Sequence, residues 1–498
     1  MPDGPRYAAI DLGATSGRVL TGRLAGGRIE LHEAHRFENR PVRLPDGLRW
    51  NLLHLFSESL IGLRAAVAEG PLAGVGADSW GVDYALLDGR GRVLGLPFHY
   101  RDGRTEGMVA RAHARVGAEE LYAATGIQTI PINTVFQLLA DEGSPALDAA
   151  ERLALVPDLF GLWLSGEPCN EATAASTTGL LDARTGVWAR EIIERLGLPA
   201  RIFGAIAEPG TPLGPLLDLH AEAVGHTAPV PVHAVAGHDT ASAFVAAPVT
   251  DAHAAILSSG TWSLLGLELP APALGDAARE ANLTNERGVD GTTRLLKNVM
   301  GMWLLEESRR GLARGGRAAS YEELLALAED ADGDDVPLFD PDEEAFLAPG
   351  DMPARIAAAC ERGGQAAPRE PGALVRAILV SLACKYRWVL ERLEAASGRD
   401  VRRIHVIGGG ARNALLCRLT AELTGREVLA GPVEATALGN VLVQARAAGE
   451  LGTLEELRAV AAASASPVVH EPPAGPGRAE PTYARFLDVT GLGAPATA

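Results

Sequence analysis

The chain has 498 residues, of which 47% are hydrophobic and 22% charged, with a formal net charge of −18. A soluble globular composition at this length predicts two domains. The acidic surplus excludes a nucleic-acid surface, and the lack of any run of about 18 apolar residues excludes a membrane-spanning helix.

In chain order, residues 7–10 read as a strand, the DLGATSG of residues 11–17 as a tight turn, and residues 18–21 as a returning strand, with a third strand at 29–34. Apolar residues at helical spacing predict a helix over 52–69. A strand at 74–77 runs into DSWGVD (78–83), and a strand at 82–87 ends in the Asp88-Gly89 turn. Helices dominate 104–196. The alternating VPVHAVA (230–236) is a buried strand, Gly237 breaks it, and a helix starts at Thr240. His238 and Asp239 therefore stand at the carboxyl end of a strand, where α/β sheets bind ligands. An Asp there either caps the helix or takes a proton from a substrate hydroxyl.

The pattern then restarts. Strands are expected at 254–257 and 262–267 around an SSGT turn (258–261), and a strand at 294–296 leads through Lys297 and Asn298 into a helix at 301–310. Further on come a long helix at 371–396, a strand at 404–407, the GGGARN turn (408–413), a helix at 414–424, a strand at 427–429 and a helix at 435–448. AAIDLGATSGRVL (8–20) echoes AAILSSGTWSLL (254–265), and VHAVAGHDTASA (232–243) echoes RIHVIGGGARNALL (403–416), in the same order. A duplicated α/β domain explains both. The DADGDD of residues 330–335 lacks the glycine of a calcium loop and reads as a connector. Residues 472–477 and the tail after Phe486 read as linker and frayed end. The cysteines (Cys169, Cys360, Cys384, Cys417) show no metal or disulfide spacing and are expected as buried thiols. Basic residues are almost all Arg, with Lys297 and Lys385 the only lysines. The first residues lack a signal-peptide pattern, so a cytoplasmic protein is expected.

Turns of small residues between strands can aim backbone N–H groups at phosphate without net positive charge. Residues 13–17 and 259–261 are two such candidates. Two carboxylates near a polyphosphate, Asp11 and Asp239, can hold Mg²⁺ through water. No Walker A pattern occurs. The GGG turn invites a dinucleotide reading, but Asn413 stands where that fingerprint needs Gly; Glu427 lies near the position of its ribose-binding acid. A turn close to adenine or ribose in a nucleotide cleft fits equally well.

These stretches resemble the FGGY carbohydrate kinases. The motifs are DLGATSGR (11–18), SWGVD (79–83), YRD (100–102), HDT (238–240), LSSGTWS (257–263), LKNVMG (296–301), VIGGG (406–410) and GPVEATALGN (431–440). The resemblance implies an α/β chain of two duplicated actin/hexokinase-type (ribonuclease H-like) ATPase domains flanking a cleft. Residues 1–247 would hold the sugar and one phosphate turn, 248–470 would bind ATP, and 471–498 would be linker and tail. By matching position, Ala14, Thr15, Ser16, Gly17, Arg18, Thr261, Glu306, Gly408, Gly409 and Gly410 would touch ATP. Gly81, Asp83, His238, Asp239, Thr240 and Asn298 would line the sugar site, with Asp239 as proton acceptor. Gly81 would let the sugar approach the backbone, and Trp80 would pack on an apolar face of it. Glu306 stands where the family has Gln. The implied activity is ATP- and Mg²⁺-dependent phosphorylation of a ketose, L-rhamnulose at O1 foremost, with L-fuculose and D-xylulose as other acceptors. A non-catalytic actin-fold nucleotide sensor and a dehydrogenase using the Gly408 turn are the rival readings. The partners implied are a small sugar and ATP, with no nucleic acid or membrane, in a monomer or homodimer.

Overall fold

The computed structural model describes residues 4–226, 228–331, 333, 335–475 and 477–493. It divides into two compact units. The first comprises residues 1–249, 268–295 and 434–466; the second comprises 250–267, 296–433 and 467–498.

The sheet of the first unit contains β1 (Arg6–Leu12), β2 (Ser16–Ala25), β3 (Arg28–Glu38), β4 (Gly74–Ser79), β5 (Thr211–Pro215) and β6 (Pro231–Ala234), in the order β5-β6-β4-β1-β2-β3. The β1–β2–β3 meander is antiparallel, while β1, β4 and β6 run parallel. Every residue of β1 and β4 is buried, because parallel strands are covered on both faces. Helix α1 (Leu52–Ala68) packs on β2 and β3. It is started by Asn51, whose side chain accepts from the His54 N–H. Helix α2 (Asp239–Val245) follows β6.

In the second unit, β7 (Ala254–Ser259), β8 (Trp262–Leu269), β9 (Thr293–Met300), β10 (Arg403–Ile407), β11 (Glu427–Ala430) and β12 (Val468–His470) are ordered β9-β8-β7-β10-β11-β12. Here β7 and β8 are antiparallel, β7, β10 and β11 parallel, and β12 antiparallel to β11. From β8 to β12 the order and directions match β2-β1-β4-β6-β5, so the duplication expected from the echoes is present. Helices α3 (Trp303–Arg314), α4 (Pro371–Ser397) and α5 (Ala414–Thr424) belong to this unit. The middle of α4 is buried on nearly all sides, Arg376 and Lys385 included, as in a core helix.

The topology corrects one of the two echoes. β10 holds the sheet place of β4, so the GGG turn is the counterpart of the turn after Ser79. The strand–helix counterpart of AGHDT is the Ala-Gly stretch at 430–431 leading to α6 (Ala435–Ala447). The compact units are discontinuous in the chain: α6 belongs to the first unit although it lies late in the sequence. It is held there by polar ties to the sheet. Gln444 Nε2 donates to Ala8 O at 2.9 Å and Asn440 Nδ2 to Gly76 O at 3.2 Å. Gly439 faces the backbone of α2; a Cβ on it would stand 1.7 Å from Ser242 O, so only glycine permits this approach.

The stretch 471–498, expected as linker and frayed tail, carries helix α7 (Ala479–Thr490) with Tyr483 and Phe486 buried, and residues 494–498 lie outside the described residues. Burying each aromatic ring is worth roughly 1.5–3 kcal/mol and contributes to holding the segment in place. Residues 332 and 334 of the acidic stretch at 330–335 lie outside the described residues. The four cysteines are free thiols; three are buried and Cys169 is partly so. No described helix is long and apolar enough to cross a membrane.

Candidate active site

Three carboxylates stand at the carboxyl ends of the parallel strands in the first unit. Asp11 and Asp78 are register partners on β1 and β4, and Asp239 opens α2 after β6. Asp11 is the penultimate residue of its strand, not part of the turn as expected; the turn itself spans only 13–15. Burial raises the Asp78 carboxyl well above its ordinary value, and the charges of Asp11 and Asp239 add to the rise, while the Asn440 amide opposes it. Asn440 Nδ2 donates to Asp78 Oδ2 at 2.6 Å. Asp11 is raised chiefly by burial, with Arg18 acting against it. Arg18 donates to both Asp11 and Glu434. Glu434 had no place in the expected site, although it lies in the quoted GPVEA motif.

Asp239 is also raised by burial and by the Asp11 charge, against the pull of His238. The side chain of Asp239 keeps 29% exposure, while Asp11 and Asp78 are 5% and 0% exposed. It is thus the carboxylate of the three best able to meet a ligand. His238, not Asp239, occupies the N-cap position of α2, and the cap makes no side-chain bond. Asp239 Oδ1 instead accepts from the Thr240 N–H at 2.5 Å and the Thr240 hydroxyl at 3.1 Å. The backbone before it is clamped: Gly237 N donates to Glu171 Oε2 at 2.9 Å and His238 N to Thr173 Oγ1 at 3.1 Å.

The SWGVD stretch behaves differently from expectation. Asp83 is wholly buried. It accepts from Trp50 Nε1 at 2.5 Å, Trp80 Nε1 at 3.0 Å, Tyr100 N at 3.2 Å and Gln137 Nε2 at 2.8 Å. Burial still pushes its carboxyl up to about 6 against those four donors. A carboxylate so fully engaged is a hub for an aromatic cluster, not a reader of sugar hydroxyls. Trp80 is likewise buried, its ring centroid 4.0 Å from that of Trp50. Gly81 is glycine because of a protein neighbour: an added Cβ would meet the Thr177 side chain at 2.9 Å. Val82 holds a φ of 68°, strained for a β-branched residue. Its N–H is bound by Thr177 Oγ1 at 3.0 Å and its carbonyl by Thr134 Oγ1 at 2.6 Å. Strain maintained by such contacts marks functional loops. Positive φ at a valine leaves no signature in a sequence.

In the second unit, the turn after β7 exposes Gly260 and leaves Thr261 half-buried. The carbonyls of Gly260 and Thr261 are taken by Met302 N at 3.0 Å and Trp303 N at 3.1 Å, at the start of α3. The Gly408–Gly410 turn closes over the same segment. A Cβ on Gly410 would lie 1.9 Å from Ser259 Oγ, and Gly408 has a φ of +81°. Close packing against Ser259 thus explains these glycines without a dinucleotide. Asn298 lies within β9, not in a loop after it, and is half-buried. Glu306 on α3 accepts from Arg309 Nε and Nη2, both at 3.0 Å, and Arg310 Nε at 3.1 Å. The two lysines fall in one cluster of this unit. Lys385 pairs with Asp340 at 2.8 Å and Asp342 at 3.1 Å, and both ammonium groups lie within 5.7 Å of the Trp388 ring centre.

Among the described residues, no group of three or more His, Cys, Asp or Glu side chains converges to hold a metal ion directly. The charge of Asp11 raises the carboxyls of Asp78 and Asp239, and that of Asp239 raises Asp78, a field that a hydrated cation would relieve. They fit an ion brought in with its own waters, not a preformed cage.

Models of the FGGY family of carbohydrate kinases match the chain over residues 7–246 (N-terminal domain) and 255–448 (C-terminal domain). The chain belongs to the FGGY family of carbohydrate kinases. Sugar kinases of this family use ATP with a divalent metal, and with the match covering both domains the dehydrogenase reading falls away. A rhamnulokinase of Bacteroides thetaiotaomicron is 41% identical over 455 residues, 91% of this chain and 93% of that one. Rhamnulokinases of Enterococcus faecalis and Klebsiella pneumoniae are 42% and 38% identical over 468 and 457 residues, each covering 91% of both chains. Among solved structures, a gluconate kinase from Lactobacillus acidophilus superposes with a TM-score of 0.78 at 16% identity, covering 98% of this chain and 97% of the other. Plasmodium falciparum glycerol kinase with ADP gives 0.78 at 14%, covering 97% of each. These two establish the fold alone: duplicated actin/hexokinase-type domains.

Proposed function

We propose that this chain transfers the γ-phosphoryl group of ATP to O1 of L-rhamnulose, giving L-rhamnulose 1-phosphate and ADP. The observation that carries the reading is about 40% identity to rhamnulokinases over nine-tenths of the chain. Asp239 accepts the proton of the sugar hydroxyl as its oxygen attacks phosphorus, and the bond to the ADP oxygen breaks. Its partial exposure and its place at a strand end support that role. His238 and Thr240 bind the sugar beside it, with Gly81 contributing backbone and Asn298 a further polar contact. Asp83 acts behind them by fixing Trp80 and the strained turn.

ATP is held by the turns. In the first unit these are Ala14, Thr15, Ser16 and Gly17, with Arg18 supplying charge once it exchanges Asp11 or Glu434 for phosphate. In the second they are Thr261 and Gly408, Gly409 and Gly410. Glu306, tied to its own helix, makes no contact that ATP would need. Asp11 and Asp239 would hold Mg²⁺ through water, and the ion would supply neutralising charge at the β- and γ-phosphates. Phosphoryl transfer asks the protein mainly for positioning and charge stabilisation. We take the enzyme to work in the cytoplasm, as a monomer or homodimer.

The test is ADP release measured across a panel of ketoses and polyols. kcat/KM is expected to rank L-rhamnulose first, with L-fuculose or D-fructose behind. An apolar pocket rejects one extra hydroxyl only about 10²-fold, which leaves some activity on such relatives. A higher kcat/KM for D-xylulose or glycerol would overturn the substrate assignment.

A further inference from the structure

The two ring nitrogens of His238 face different groups. Nε2 lies 3.5 Å from Asp239 Oδ1. Nδ1 lies 3.2 Å from Arg294 Nη2 in hydrogen-bonding geometry and 3.1 Å from Glu286 Oε2. Arg294 Nη2 is itself 3.1 Å from Glu286 Oε2, and Arg294 Nε donates to Arg287 O at 3.0 Å. The Arg294 side chain has no solvent exposure, and that of Glu286 has 5%.

A buried ion pair of this kind is a poor stabiliser, because desolvating both charges offsets their attraction. Its position against the imidazole gives it a purpose. A guanidinium can only donate. If Arg294 donates to Nδ1, that nitrogen must present its lone pair, and the ring proton must sit on Nε2.

We propose that Arg294, oriented by Glu286, is a positioning residue that fixes His238 as the Nε2–H tautomer. The ring then offers a donor beside Asp239, placed to bind a sugar oxygen next to the reacting hydroxyl. Its lone pair is turned inward against Arg294, so the imidazole cannot compete with Asp239 for the hydroxyl proton. The kinetic consequences rest on the sugar-kinase reading above; the tautomer does not.

The test begins with ¹⁵N NMR of the unmodified enzyme labelled at histidine, with the His238 signals assigned by their loss in His238→Gln. The expected spectrum has Nε2 protonated and Nδ1 bare. A proton on Nδ1 overturns the proposal whatever the enzyme's substrate. Arg294→Met leaves Glu286, an acceptor, opposite Nδ1, and the proton should move there. With it, kcat/KM for the ketose should fall about 10–100-fold while KM for ATP changes less than twofold, the usual cost of a misplaced binding group. Arg294→Lys, again a donor only, should recover most of the loss and keep the Nε2–H signal. A folded Arg294→Met enzyme with an unchanged tautomer, or with ketose kcat/KM within twofold of wild type, also overturns the proposal. If that variant does not fold, the wild-type spectrum alone decides. An enzyme inactive on every ketose would end the functional reading and leave the tautomer assignment to the spectrum.

Discussion

The central parallel pair of each unit is built on the same plan and filled with opposite chemistry. In the first unit β1 and β4 bring Asp11 opposite Asp78. In the second, the matching residues of AAID and AAIL place Leu257 opposite Val406. All four are buried. One pair is a set of desolvated carboxylates whose protons are harder to remove than usual; the other is ordinary core. Duplication therefore conserved the backbone's hydrogen bonds, which do not depend on side chains, and left each strand end free to specialise. The first unit carries an electrostatic cost at its strand ends, and the second puts glycines where a turn must close.

The comparison can be broken most strongly at Asp239. Asp239→Asn should lower kcat by roughly 10²–10⁴, the usual worth of a positioned base, with ATP affinity little changed. More than half of wild-type kcat in the variant would remove Asp239 from the mechanism. Because burial and the Asp11 charge raise this carboxyl, the acid limb of kcat/KM should lie above the ordinary carboxylate value and fall when the Asp11 charge is removed.

Moving the charge the other way is the next largest effect. Leu257→Asp copies Asp11 into a core without an arginine such as Arg18. Losing a buried leucine and burying an unpaired carboxylate should cost about 4 kcal/mol or more. Thermal unfolding that stays near wild type would show that the second unit tolerates what the first unit needs. Asp83→Ala should destabilise by about 2–3 kcal/mol, since four donors lose their acceptor in a buried place. It should also weaken sugar use through Trp80 and Val82, which KM for the ketose would report.

Asp78→Asn should do the reverse to stability. The folded carboxyl is raised above its unfolded value, so its contribution is full below the unfolded pKa and is lost as pH rises through the folded one. Removing the charge should raise Tm by about 2 °C or more at pH 8, with the gain shrinking towards pH 4. A gain that grew on acidification would mean that Asp78 is stabilised as a carboxylate, by Asn440 or otherwise. The smallest effect is expected at Glu306. Its carboxylate is saturated by Arg309 and Arg310, so Glu306→Gln should change KM for ATP less than about twofold, i,i+4 pairs being worth only tenths of a kcal/mol. A tenfold rise would reveal a nucleotide contact made by the carboxylate.

Much of the plan was legible in the sequence by itself. Strand and helix periods, glycine punctuation and the AAID/AAIL echo report local preferences that burial does not overturn, so the duplicated α/β architecture and most elements follow from them. The strand-to-helix junction at HDT and the turn within DLGATSG were legible for the same reason. The second echo misled because strand–glycine–helix is common to every such unit; only hydrogen-bonded order tells which copy matches which. Asp83 reads as a polar residue in a binding motif, and only the convergence of Trp50, Trp80, Tyr100 and Gln137 makes it a buried hub. Glu286 and Arg294 lie 48 and 56 residues beyond His238 in the chain, too far for any local pattern to join them to it. Tertiary structure alone decided those pairings, and the return of α6 to the first unit, because they rest on desolvation and contact between residues that no sequence period connects.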